Sequence, residues 1–159
     1  MKGYYGEKYG KLYNWYAVND PRGLAPEGWH VPTDAEWTEL TDYLAADGHS
    51  GTEGRALKAT SGWDDFYEDE FRWEEINGNG TDVYGWSGLP GGYRMFTGSF
   101  YSVGASGKWW SSSQNDALNA CSRGLIHDHD FVGRLSFEKR QDLSFVEKGQ
   151  GYSVRCIKD

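Results

Sequence analysis

Hydrophobic positions follow two different periods along this chain. Residues 10–18 (GKLYNWYAV) alternate and are rich in Tyr and Trp, the pattern of a first strand. Asn19, Asp20, Pro21, Arg22 and Gly23 then make a turn. From Pro32 the period lengthens. Thr33 and Glu36 have capping-box spacing, Asp34 and Glu36 put negative charge in a first helical turn, and Trp37, Leu40 and Leu44 share one helical face. A helix from Thr33 to about Ala46 is expected. A second, shorter helix is expected over residues 52–59, stopped by Ser61 and Gly62. Residues 63–86 show no period. Beyond them alternation returns in short bursts, at residues 89–94, 98–103, 108–113, 123–134, 143–146 and 152–157. One or two helices followed by short strands predict a single α+β domain over residues 1–159, with a largely antiparallel sheet and long loops. Long ordered loops usually serve binding.

Composition sharpens this picture. The chain has 159 residues, so roughly two-thirds of its surface can be buried without staples. Hydrophobic residues are 38% of it, while Trp 8, Tyr 11, Phe 7 and Gly 22 are abundant. The core is therefore expected to rest on aromatic rings between glycine turns, which disfavours a helical bundle or a parallel α/β sheet and excludes disorder. A net charge of −8 argues against nucleic acid or an anionic membrane as partner. No apolar run approaches the roughly 18 residues of a membrane span, and Met1 to Gly6 do not read as a secretory signal.

Candidate chemistry is sparse. The two cysteines, Cys121 and Cys156, read as separate thiols, with a disulfide as the alternative in an oxidising compartment. His127 and His129 would share a strand face but lack further metal ligands. Asn77, Asn79 and Asp82, beside the acidic run Glu68, Asp69, Glu70, Glu74 and Glu75, could wrap calcium. A solvated Asn-Gly turn is the simpler reading, because no bidentate Glu closes the loop at EF-hand spacing. No cofactor is therefore expected. Trp29, Trp37, Trp109 and Trp110 could form a sugar-stacking platform, although Trp29 and Trp37 flank the capped helix and read as core. Neither the Glu-Pro-Asn nor the Gln-Pro-Asp string of calcium-dependent lectins occurs.

Four strings carry a resemblance: GKLYNWYAVNDPRGLAPEGWHVPTDAEWTEL from Gly10, LPGGYR from Leu89, KWWSSS from Lys108 and GYSVRCIKD from Gly151. In this order they resemble the major paralogous domain first described from Fibrobacter succinogenes, common in surface lipoproteins of Bacteroidetes-type bacteria. The segment around Trp37 and the terminal Val154-Arg155-Cys156 are also similar to the formylglycine-generating-enzyme superfamily. The resemblance implies a C-type-lectin-like fold. The enzyme branch of that fold uses a reactive cysteine pair. Here Cys156 matches a structural cysteine instead, and Cys121 has no close cysteine in sequence. Although Arg123 could lower the Cys121 pKa, a base and a resolving thiol are missing. Ser111, Ser112 and Ser113 lack a nucleophile elbow. The expectation is a non-catalytic protein.

The binding branch implies a variable surface after the Trp-Trp-Ser-Ser string. The framework of that segment falls on Ala120, Arg123, Leu125, Val132 and Arg134, with Leu125 and Val132 facing the core and Arg123 and Arg134 pairing with acids or bracing neighbouring loops. The free positions are Cys121, Ser122, Gly124, Ile126, His127, Asp128, His129, Asp130, Phe131, Gly133, Leu135, Ser136 and Phe137. An extra stretch at residues 140–147 departs from the family pattern. C-type-lectin-like domains are also the usual display scaffolds of diversity-generating retroelements, which randomise template adenines. Starting from the Asn codon AAC, changes at the two adenines can yield every residue type found at these free positions but never Lys, Glu, Gln, Met or Trp, and Glu138 and Lys139 fall outside that alphabet. The expected function is a ligand-binding display module whose Phe131 and Phe137 anchor a protein or glycan ligand, with His127, Asp128, His129 and Asp130 hydrogen-bonding around them. Its expected location is the cell surface or extracellular space, on a lipid-anchored parent or a phage virion. A structural or adhesin module is the alternative, and a formylglycine-generating-like enzyme ranks below both.

Overall fold

A computed structural model of the chain describes residues 4–68, 73–133 and 145–159. The capping box forms as expected. Glu36 N donates to Thr33 Oγ1 at 3.2 Å and Thr33 N donates to Glu36 Oε2 at 2.7 Å, opening helix α3, Asp34–Leu44. It is preceded by α1 (Tyr4–Tyr9), α2 (Trp15–Val18) and strand β1 (Trp29–His30). A wide turn, Ala45–His49, follows, with Gly48 at φ 94°, a conformation that a side chain would strain. The second helix, α4 (Glu53–Leu57), is shorter than expected because Lys58 turns extended at ψ 140° and joins Gly88 in a bridge.

The first expected strand is absent. Tyr13 makes one bridge to Tyr152, and then Asn14 accepts a hydrogen bond from Ala17 N at 3.0 Å and caps α2. A short polar side chain at a cap outweighs the alternation of Tyr and Trp around it. The later strands are β2 (Phe66–Glu68), β3 (Trp73–Glu75), β4 (Tyr93–Arg94), β5 (Phe100–Tyr101), β6 (Ser106–Gln114), β7 (Asn119–Ile126), β8 (Phe145–Glu147) and β9 (Ile157–Lys158). They form small antiparallel sheets: β6–β7–β8, and the pairs β1–β9, β2–β3 and β4–β5. The α+β class holds, as several small sheets where one larger sheet was expected.

The central pair β6–β7 divides the core. Successive side chains on a strand point to opposite faces. Trp109, opposite Arg123, joins Trp37, Leu44, Leu57, Trp63 and Leu125 on one side. Its neighbour Trp110, opposite Ser122, joins Trp15, Ala120 and Tyr152 on the other. Trp110 is 0% exposed, stacks on Tyr152 with centroids 4.5 Å apart, and donates its indole N–H to Tyr13 O at 2.7 Å. The tryptophan platform is thereby corrected: Trp37, Trp109 and Trp110 are interior, sealed by this two-faced packing. Trp29, expected in the core, is 44% exposed on the short strand β1.

Chain ends close on one another beside β6. Tyr152 pairs with Tyr13, Ser153 bonds Lys108 and Trp110, and β9 pairs with β1. His30 locks this closure. Its Nδ1 lies 2.6 Å from Asp159 Oδ1 and its Nε2 2.9 Å from Glu36 Oε1. Hydrogen bonds to Asp159 and then Glu36 hold the imidazole pKa above its ordinary 6.5.

Two outcomes follow for stability. Trp110→Ala removes a stacked, fully buried indole and is expected to cost about 3–5 kcal/mol in urea unfolding; a loss under about 1 kcal/mol would contradict the two-faced core. Because the His30 pKa is raised, its contribution is complete below the ordinary value and fades as pH rises through the elevated one. The stability gap between wild type and His30→Gln should therefore be wider at about pH 5.5 than at about pH 9. An equal gap at both would refute the clamp.

Candidate recognition loop

β7 carries the expected variable segment into the molecule before bringing it out. The strand lies between β6 and β8, with both faces covered, and its residues from Ala120 to Leu125 are buried. Cys121 and Ser122 therefore cannot present side chains to a ligand, and the Gly124 backbone is buried with them. Gly133 is buried too, because it pairs with Gly124 through two hydrogen bonds of 2.8 Å. The expectation of one surface patch from Cys121 onward is corrected at these four positions. Leu125 belongs to the core and Val132 packs against it, as expected. Arg123, 3% exposed, pairs with Asp34 and also donates to Asp34 O and Thr38 Oγ1, bracing β7 against the start of α3. Arg134, Leu135, Ser136 and Phe137 lie outside the described residues.

What reaches the surface is the loop between the two glycines. Ile126, His127, Asp128, His129 and Asp130 are half-buried, and Phe131 is 41% exposed. His129 Nδ1 lies 2.9 Å from Asp128 Oδ1, and the His129 ring meets Phe131 edge-on at 5.0 Å. Arg55 and Asp130 approach to 3.8 Å, an exposed pair worth little by itself.

The loop is held from beneath by a residue that the sequence reading missed. Lys58 is 0% exposed, and its Nζ donates to Ile126 O at 3.1 Å, His127 O at 3.3 Å and His129 O at 3.0 Å. Burial pushes its ammonium pKa down, with Asp130 and Asp128 acting in the opposite sense and Arg55 adding to the fall. Further backbone contacts complete the seat: Arg55 N donates to Asp130 O and His127 N to Ala105 O, both at 2.9 Å. Gly54 permits this approach, since a Cβ there would stand 2.5 Å from Phe131 O. The only local cue was a lysine flanked by apolar residues in Ala56-Leu57-Lys58-Ala59.

The proposed calcium loop supports the same seat. Asn77 Oδ1 accepts from Asn79 N, Asn79 Oδ1 from Trp63 N, and the Asp82 carboxylate from Ser87 N and Oγ. Asn77 and Asp82 thus serve local turns and Asn79 ties the loop to Trp63, while Gly80 N bonds Ala59 O and Thr81 N bonds Arg55 O. Among the described residues, no group of three or more His, Cys, Asp or Glu is placed to hold a metal. Cys121 and Cys156 form no disulfide with each other, and burial raises the Cys156 thiol pKa. No described helix is long and apolar enough to cross a membrane.

These features define an α+β domain with a closed, internally tethered loop. The family model described as the Fibrobacter succinogenes major domain matches residues 2–158. The chain belongs to that family. No curated protein and no solved structure matches it.

Lys58→Met should leave three carbonyls without their donor and cost roughly 2–4 kcal/mol. Amide hydrogen exchange should quicken first at residues 126–131. A loss below about 1 kcal/mol with unchanged exchange would show that the lysine does not hold the loop.

Proposed function

We propose that this chain is a non-catalytic ligand-binding module of C-type-lectin-like fold, and that its contact surface is the loop of residues 126–131. The observation that carries this reading is an outward Phe131, flanked by His129 and two carboxylates, on a loop whose backbone is fixed by a buried ammonium. An aromatic anchor with a polar surround is the arrangement that concentrates binding energy. A pre-set loop also loses little entropy on association. The joined chain ends and long loops support the lectin-like fold. The Cys156 thiol, made less acidic by burial, supports a role without cysteine chemistry at that position. The ligand is a protein or a glycan met at a cell surface or in the extracellular space.

Binding to glycan and protein arrays tests this reading. Wild-type signals should fall at least tenfold in Phe131→Ala and His129→Ala. The melting temperature of Phe131→Ala should drop by no more than about 4 °C, as expected for a half-exposed ring in a domain of this size. Binding that survives both substitutions, or a far larger thermal loss that marks Phe131 as core, would refute it. Retroelement diversification is tested by the coding DNA: free positions ending in bases other than C or T would exclude it, whereas substitutions matching adenines of a nearby near-repeat would support it.

A further inference from the structure

A second site is formed by residues outside this loop. Between α3 and the C-terminal segment lies a cleft of about 200 Å³, walled by Pro32, Trp37, Leu40, Trp86 and Ile157 and closed on one side by Arg155. The size suits a single-ring ligand better than a drug-sized one. Trp86 organises the walls, meeting Trp37 edge-on at 6.0 Å and Trp109 at 4.9 Å. The Arg155 guanidinium lies 4.3 Å from the centre of the Trp86 ring.

Arg155 is the unusual member. It is half-buried, yet among the described residues its guanidinium donates no hydrogen bond and makes no ion pair. A guanidinium does not lose its proton on partial burial, and its nitrogens still reach solvent, so Arg155 keeps a charge and free donors for an anion. Two acids stand near enough to compete, and other donors occupy both. Glu36, which also lines the cleft, is taken by Thr33 and His30, whereas Asp82 is taken by Ser87. On its other side Arg155 borders a more polar cavity of about 270 Å³ that Lys11 also lines. The lining of that cavity carries Lys11 and Arg155 and no acid, in a chain whose net charge is −8.

We infer that this cleft binds a small aromatic carboxylate, its ring among Trp37, Trp86 and Leu40 and its carboxylate on Arg155. The planar fork of the guanidinium matches a carboxylate in two parallel hydrogen bonds, and its contact with the Trp86 ring holds it beside the aromatic walls. Indole walls supply the apolar contact that selects a ring over acetate.

Phenylacetate is the probe, titrated into the whole chain and followed by ¹H–¹⁵N spectra of the indole N–H groups. Saturable shifts are expected at Trp37 and Trp86, with a Kd of about 1 mM for so small a ligand. The neutral isostere 2-phenylethanol should bind at least tenfold more weakly, and acetate should give no saturable shift at these indoles. Arg155→Gln should weaken phenylacetate at least tenfold, with Arg155→Lys intermediate. Equal affinity for the alcohol, or absence of saturation up to about 50 mM, would overturn the inference, as would undiminished binding in a folded Arg155→Gln protein. Should Arg155→Gln fail to fold, the acid–alcohol comparison on wild type decides alone.

Discussion

The structure depends on two adjacent indoles leaving one strand in opposite directions. Trp109 and Trp110 each anchor a separate cluster, so β6 is the partition of the molecule and both clusters need its register. With few aliphatic residues available, large rings supply the buried apolar area, and their N–H groups must find acceptors. Those of Trp15, Trp63 and Trp110 do so on backbone carbonyls far away in sequence, whereas the buried Trp37 N–H has no acceptor among the described residues. The rings thereby tie the loops to the strands as well as filling space.

Buried lysines perform the complementary task. Lys58 gathers three carbonyls beneath the 126–131 loop, and its ammonium lies 5.4 Å from the Trp63 ring centre. Lys148 repeats the device at the turn between β6 and β7. It donates to Asp116 O at 2.7 Å, Gln114 Oε1 at 3.1 Å and Ala117 O at 3.2 Å, and stands 4.5 Å from the Trp15 ring centre. An ammonium has three donors and no acceptor, so it can collect inward-facing carbonyls that no regular strand could pair. Aromatic faces offset part of its desolvation. Irregular backbone is made rigid in this way without lengthening any sheet.

That rigidity determines how the candidate surface is read. A residue alphabet says which positions share a chemistry, but burial decides which of them touch a ligand. From Cys121 to Leu125 the segment runs through the interior as β7, and only after the Gly124–Gly133 bridge opens does it reach solvent. The proposed recognition surface is consequently shorter than the sequence pattern suggested, and better fixed.

The sequence by itself determined what rests on neighbours in the chain. Thr33 and Glu36 specify the start of α3, because a capping box needs only four residues, and the four strings specify the family across residues 2–158. Leu125 and Val132 were legible as inward positions, and the composition foretold a core made of rings. The partners of Lys58 and Arg123 were not legible: Lys58 lies 68 residues from Ile126 and Arg123 lies 89 from Asp34. Nor did alternation reveal that residues 10–18 yield a capped turn, that Trp29 faces water, or that Cys121, Ser122 and Gly124 are interior. Alternation records which side chains share a face, whereas the packing of distant segments against that face decides whether it is wet or dry.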